Sequence, residues 1–182
     1  QIAVLAPLAG VALVVDAEFE IHLTADGVLR DGRFRLSAGS GALRYPDLVP
    51  RSVPIRGATA RGSFDVEASR IVLDRATLDL GGPTIGLSAI VGRAGGIVTV
   101  GGEVVVRKMS LADFKSYWPK TAAPGARSWI VQNLEDGEVV EARTSVQARS
   151  ARSGEWMLGS IGASLRIRGA TVHYLRPLAP TP

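Results

Sequence analysis

Residues 17–23, Ala17-Glu18-Phe19-Glu20-Ile21-His22-Leu23, alternate without a break between apolar and ionisable side chains. A β-strand turns successive side chains to opposite faces, so this run is a strand with one side that must be covered and one that suits water. The pattern recurs along the chain. Asp26-Gly27 marks a turn, and Val28–Leu36 follows as a partner strand. Phe64, Val66 and Ala68 oppose Asp65 and Glu67, and Ile71–Leu80 stops at Gly81-Gly82-Pro83. Thr84–Val91 puts Ile85, Leu87, Ala89 and Val91 on one face, before a turn at Arg93–Gly96. Ile97–Arg107 resumes, with Gly101-Gly102 expected to mark a bulge or bend. Glu138–Arg149, a turn at Ser153-Gly154, Trp156–Arg168 and Ala170–Leu175 complete the set, with Met157, Ile161, Ala163, Leu165 and Ile167 sharing a face. Ala38–Pro50 reads as a loop. Strands following one another with no helix between them predict antiparallel meander pairing.

One stretch departs from this. In Leu111–Gly137, Ser110 and Asp113 have the spacing of a helix capping box, and Leu111, Phe114 and Trp118 fall at i, i+3 and i+7. Pro119 ends that helix. Pro124 opens a second, with Ala126, Trp129, Ile130 and Leu134 as its apolar face and Asp136-Gly137 as its stop. The expectation is a short helical hairpin over about 111–135, with Phe114, Trp118 and Trp129 turned to a common partner. Such a hairpin is too small to cover a sheet of many long strands. Either the sheet curls onto itself or an apolar face stays open.

Catalytic signals are sparse. The chain has no cysteine, which excludes disulfides and thiolate-held zinc. His22 and His173 are its only histidines, each on the polar side of an expected strand, and neither belongs to a metal-ligand or triad spacing. Asp74, Asp79, Glu135, Asp136 and Glu138 have no spacing that selects a catalytic pair. No catalytic residue, cofactor or metal site is expected, and the chain reads as non-enzymatic. The 5% aromatic content disfavours a glycan-binding or glycan-cleaving domain. A net charge of +4 and a pI near 10.0 are carried by scattered arginines, with Arg107-Lys108 the only adjacent basic pair. That is a solvated strand face, not a nucleic-acid interface. Ile2–Val15 is apolar but short and broken by Pro7, too short to span a bilayer as a helix, and is expected to be a strand region. Ile-Arg-Gly-Ala-Thr occurs at Ile55–Thr59 and Ile167–Thr171, through either a repeat or shared turn chemistry.

The helical stretch carries a resemblance. Tyr117-Trp118-Pro119, then Ala126-Arg127-Ser128-Trp129, then Asn133-Leu134-Glu135-Asp136-Gly137 before a long strand resembles the signature of the central region of YhdP/AsmA-like proteins. These are envelope proteins of Gram-negative bacteria, related in architecture to TamB and the bridge-like lipid transfer proteins. Leu36–Pro50 and Arg168–Pro180 are similar to segments placed alike in that family. The resemblance implies that residues 1–182 are a single β-groove segment of a longer chain. It implies a mostly β fold: a long, twisted antiparallel meander curled into a U-shaped groove, carrying the one helical hairpin. It further implies a periplasmic location, attachment to the inner membrane through an anchor outside this segment, and phospholipid acyl chains as the partner, with envelope proteins as further partners. An alternative is a structural or assembly module with a closed core and a protein partner. Strand parity nominates Phe19, Ile21, Leu73, Leu78, Leu80, Ile85, Leu87, Val98, Val100, Leu165 and Ile167 as groove-lining residues. Trp118, Pro119, Arg127, Trp129, Asn133, Leu134 and Gly137 carry the signature.

Overall fold

The computed structural model describes residues 11–12, 14–45, 49–118, 123–150 and 154–173. Strands make up 69% of it. The principal element is an open sheet of eight antiparallel strands. In spatial order these are β12 (Trp156–Arg168), β11 (Glu138–Ser150), β9 (Ile97–Ser110), β8 (Thr84–Ala94), β7 (Arg70–Asp79), β6 (Gly57–Asp65), β3 (Leu29–Ala38) and β2 (Val15–Leu23). Neighbours in space are neighbours in the chain apart from two excursions, so the sheet is a meander. β2 and β12 are its free edges; they do not pair with each other.

Both excursions leave the same end of the sheet. Between β3 and β6 the chain forms β4 (Gly41–Tyr45) and β5 (Val49–Ile55), which join β1 (Val11–Ala12) in a three-stranded sheet. Val53 and Ile55 in it are buried, and the Arg56 N–H donates to the Asp79 carbonyl to tie it to β7. Pro50 and Pro54 are tolerated because β5 is an edge strand. Between β9 and β11 come helices α1 (Leu111–Tyr117) and α2 (Pro124–Asn133), then β10 (Leu134–Glu135), which pairs with β13 (Thr171–Val172).

The core sits under these helices. Met109, Leu111, Ile130, Leu134, Val139 and Ala142 are buried together, with Phe114, Trp118, Leu165, Ile167 and Leu80 packed around them. Ser110 caps α1 by accepting from the Asp113 N–H at 3.0 Å, as its spacing predicts. The two helices then cap each other. From α2, the Arg127 Nε donates to the Trp118 carbonyl at 3.1 Å and its guanidinium reaches the Lys115 carbonyl at 3.4 Å. From α1, the Lys115 Nζ donates to the Leu134 carbonyl. Each cation meets carbonyl groups that a helix C-terminus leaves without intrahelical partners.

Several sequence expectations need correction. Residues 38–50 are not all loop: β4 and the start of β5 lie there, β4 too short to show an alternation and β5 interrupted by Pro50. β6 stops at Asp65, and residues 66–69 turn, so Val66 and Ala68 do not continue Phe64's face. Gly101-Gly102 is no bulge; β9 runs through it in continuous register with β8 and β11. α2 ends at Asn133, and Asp136 and Gly137, at φ 56° and 86°, form the tight turn from β10 into β11 instead of a helix stop. The two Ile-Arg-Gly-Ala-Thr copies differ in backbone, since Gly169 has φ 68° and Gly57 is not left-handed. Residues 1–10, Pro119 and 174–182 lie outside the described residues, and with them most of the Ile2–Val15 run and the end of the Arg168–Pro180 segment.

Arg127→Met keeps the aliphatic stem but removes the bonds to α1, and is expected to lower unfolding free energy by about 1.5–3 kcal/mol. Arg107→Met breaks an exposed pair with Glu141 and is expected to cost no more than about 1 kcal/mol. Urea titration of both variants checks the order; an equal loss would contradict the capping role.

Candidate functional site

Directly paired residues of an antiparallel ladder point to the same side of a sheet. The registers therefore divide the eight strands into two faces. On one, Leu165, Ala142, Val106, Ile85, Leu78, Ala58, Ala38 and Val15 form a row from edge to edge. The next row is Ala163, Thr144, Val104, Leu87, Ala76, Ala60, Leu36 and Ala17. Then come Ile161, Val146, Gly102, Ala89, Leu73, Gly62, Phe34 and Phe19, followed by Leu158, Ala148, Val100, Val91, Ile71, Phe64, Gly32 and Ile21. Thr144 is the only hydroxyl, and these rows carry no charge.

Bulges keep this segregation in phase. β7 carries an extra residue at Asp74, between Leu73 and Ala76, so Leu73 and Leu78, of opposite parity in sequence, share the apolar face. β12 carries one at Gly159, which brings Leu158 and Trp156 to the apolar side and sends Met157 to the polar one. Met157 therefore does not share a face with Ile161, contrary to its spacing. At the helical end, Lys108 takes φ 55° and β11 gains Val140, which turns Met109 and Val139 back toward the helices.

A reciprocal aromatic–glycine pairing forms part of the floor. Gly32 lies opposite Phe64 and Gly62 opposite Phe34. A Cβ on Gly32 would come 2.6 Å from Phe64 Cζ, and one on Gly62 would come 2.6 Å from Phe34 Cζ. Each ring thus lies over the other strand's glycine. The Gly-x-Phe tripeptides at 32–34 and 62–64 were the sequence signal for it, legible only once β3 and β6 are known to pair.

Of the residues nominated as lining, Phe19, Ile21, Leu73, Leu78, Ile85, Leu87, Val98, Val100, Leu165 and Ile167 all fall on this face, and Leu80 follows just beyond β7. Leu80, Leu165 and Ile167 are packed against the helical core, so the hairpin covers that corner. Of the rest, Leu73, Leu78, Ile85, Val98 and Val100 are half-buried among their neighbours, while Phe19 is 62% exposed and Leu87 40%, as are Ile71 (46%) and Ile161 (57%) in the same rows. At about 4.8 Å per strand and 3.4 Å per residue, the four rows span roughly 34 by 20 Å, on the order of 700 Å² before twist, from which the corner of Leu165, Ala142 and Val106 under the hairpin is to be subtracted. Largest apolar patches on soluble monomers are typically about 300–600 Å². Where hairpin meets sheet, Ala126, Trp129, Ile130, Leu134, Leu165 and Ile167 line an apolar recess of about 410 Å³.

The signature residues build the hairpin. Trp118 meets Phe114 edge-on at 5.2 Å, Leu134 is buried, and Asn133 donates to the Trp129 carbonyl while its own carbonyl accepts from the His173 N–H. Gly137 accepts from the Leu111 N–H, and a Cβ there would lie 2.7 Å from the Arg168 carbonyl oxygen. Trp129 is half exposed over the recess and does not join Phe114 and Trp118 in the core.

The opposite face is polar and largely self-neutralised at its ends. The hydrogen bond from His22, then that from Arg30, holds the Asp31 carboxyl below its ordinary range. The Glu103 carboxylate bonds Arg143 and raises that guanidinium's pKa further. Among the described residues no cluster of His, Asp or Glu could hold a metal ion, and no helix is long and apolar enough to cross a membrane.

Gly62→Ala is expected to displace Phe34 and separate β6 from β7, because its Cβ would also fall 2.1 Å from the Val72 carbonyl oxygen. The cost should be about 1–3 kcal/mol in urea unfolding; an unchanged midpoint would rule out the ring-over-glycine packing. Comparison with known proteins adds nothing to this geometry: no protein-family model, curated protein or solved structure matches the chain.

Proposed function

We propose that the open apolar face is a lipid surface. The chain is a segment of a Gram-negative envelope protein that carries phospholipid along an apolar β-groove between inner and outer membrane. It works in the periplasm, is held to the inner membrane by an anchor outside this segment, and catalyses no reaction. The single observation that carries this reading is the sheet face eight strands wide, apolar from edge to edge over four rows and covered, among the described residues, only at its helical end. Water contact over such an area is costly at roughly 25 cal/mol per Å², so an apolar occupant would be strongly favoured.

Acyl chains suit the face better than a compact ligand does. Among the described residues its rows run continuously across the strands with no charged side chain that would fix one position, so a chain can lie anywhere along them. Toward the β2 edge the side-chain relief is low, because alanines, glycines and the two phenyl rings over Gly32 and Gly62 fill the rows of β6 and β3. Lipid head groups would remain at the strand ends and edges, in water. A protein partner that covers the same face is the competing reading, and the same experiment separates the two.

The protein incubated with a membrane extract and freed of detergent is expected to retain phospholipid in native mass spectrometry. Leu87→Asp combined with Ile71→Asp should abolish retention with little loss of stability, since both side chains are at least 40% exposed. A lipid-free mass for a folded, monodisperse wild-type protein would refute the proposal, as would full retention in the double variant.

A further inference from the structure

We propose that the polar face of the sheet carries a phosphate-binding site built on Arg35, Arg61 and Arg75. Arg35 on β3 is directly opposite Arg61 on β6, which is directly opposite Arg75 on β7. Like charges opposed across a ladder are destabilising. Here three guanidinium groups stand in one row.

Their surroundings leave that charge largely uncompensated. Arg35 makes one long contact with Glu18, at 3.4 Å, between side chains that are both more than 70% exposed. Among the described residues neither Arg61 nor Arg75 has an ion-pair partner. The contrast is with other arginines of the same face. Arg143 is held by Glu103 at 2.8 Å and Arg107 by Glu141 at 2.9 Å, and Arg30 is held by Asp31 at 2.7 Å.

The row also sits in a concavity. Arg35, Arg61 and Arg75, with Ser37 and Thr59 one row along and Asp16 and Glu18 on the outer strand, line a hollow of about 600 Å³. The acids that line the hollow, Asp16 and Glu18, lie on the β2 side, and Asp74, next to Arg75 on β7, neither lines it nor forms an ion pair with Arg75, so the positive end is at β6 and β7. Guanidinium groups present planar paired donors that match the oxygens of a phosphate, and the two hydroxyls supply further donors. A multiply charged phosphate bridging Arg61 and Arg75 would relieve the repulsion that the fold otherwise sustains. The site is on the face opposite the apolar rows, so it does not depend on the lipid reading. The phosphate can come from a soluble phosphorylated molecule or from a head group of a membrane surface.

Isothermal titration of the protein with inorganic pyrophosphate, alongside flotation with phosphatidylglycerol or phosphatidylcholine vesicles, tests the site and separates its sources. Pyrophosphate should bind the wild type at constant ionic strength, and at least tenfold more weakly to R61Q/R75Q. Phosphatidylglycerol flotation that is lost in R61Q/R75Q would assign the head group as source, whereas pyrophosphate binding alone would assign a soluble phosphate. The double variant should be no less stable than the wild type, because it removes like-charge repulsion. R61K, which keeps the charge and loses the planar donors, should weaken pyrophosphate binding several-fold and serves as a second test should the double variant fold poorly. Absence of binding to both probes, or equal binding by wild type and R61Q/R75Q, would overturn the proposal. Phospholipid retention on the apolar face is expected to be unchanged in R61Q/R75Q.

Discussion

Cross-strand register is the constraint on which the rest of this structure depends. With a side-chain period of two, a slip of one residue in any strand would move its apolar set to the other face. Here seven successive pairings keep the sets aligned, from Val15, Ala17, Phe19 and Ile21 on β2 to Leu165, Ala163, Ile161 and Leu158 on β12. The extra residues at Asp74, Val140 and Gly159 are part of that alignment, since without them Leu73, Val139 and Leu158 would point away from their neighbours. A bulge also increases local twist, so the devices that preserve parity also bend the sheet.

The helical hairpin depends on this sheet and, among the described residues, gives it its one buried apolar cluster. α1 is a continuation of β9 and α2 returns the chain to β11, which places Leu111, Ile130 and Leu134 over Met109, Val139 and Ala142. The two helices are short and would be marginal alone. Arg127 and Lys115, each donating to carbonyl groups at the other helix's end, hold them as a pair. Among the described residues, packing is thus concentrated at one end of the sheet, and the far rows have no such cover. That asymmetry fits a surface that must stay open while the domain stays folded.

The alternation of β2, the Ser110 cap, the Pro124 helix start and the strand-rich meander were legible in the sequence because each is a local signal. Ten of the eleven nominated residues fall on one face and Leu80 follows just beyond β7; alternation accounts for those that share a strand, except Leu73 and Leu78, whose parity conflicts and which only the bulge at Asp74 brings together. What local pattern could not give was the position of the bulges. Gly101-Gly102 resembled one and is regular strand, while Gly159 gave no sign and reverses Met157. β5 was hidden by Pro50 and Pro54, which an edge strand accepts, and β4 is a five-residue strand with no proline, too short to show an alternation. The arginine row was invisible as well, since Arg35, Arg61 and Arg75 are far apart in sequence and meet only through register. The resemblance carried by Trp118, Arg127, Trp129, Asn133, Leu134 and Gly137 pointed to residues that build the hairpin, and lipid carriage is inferred from the open face beside it.

Leu87 and Ile90 give the most direct comparison, being branched aliphatic residues of one strand, 40% and 45% exposed, on opposite faces of the sheet. A photo-crosslinking amino acid placed at each, followed by illumination in the presence of phospholipid vesicles or membranes, would report which face meets acyl chains. Lipid adducts at position 87 and none at position 90 are the result this account predicts. Equal labelling at both positions, or labelling at 90 alone, would contradict it.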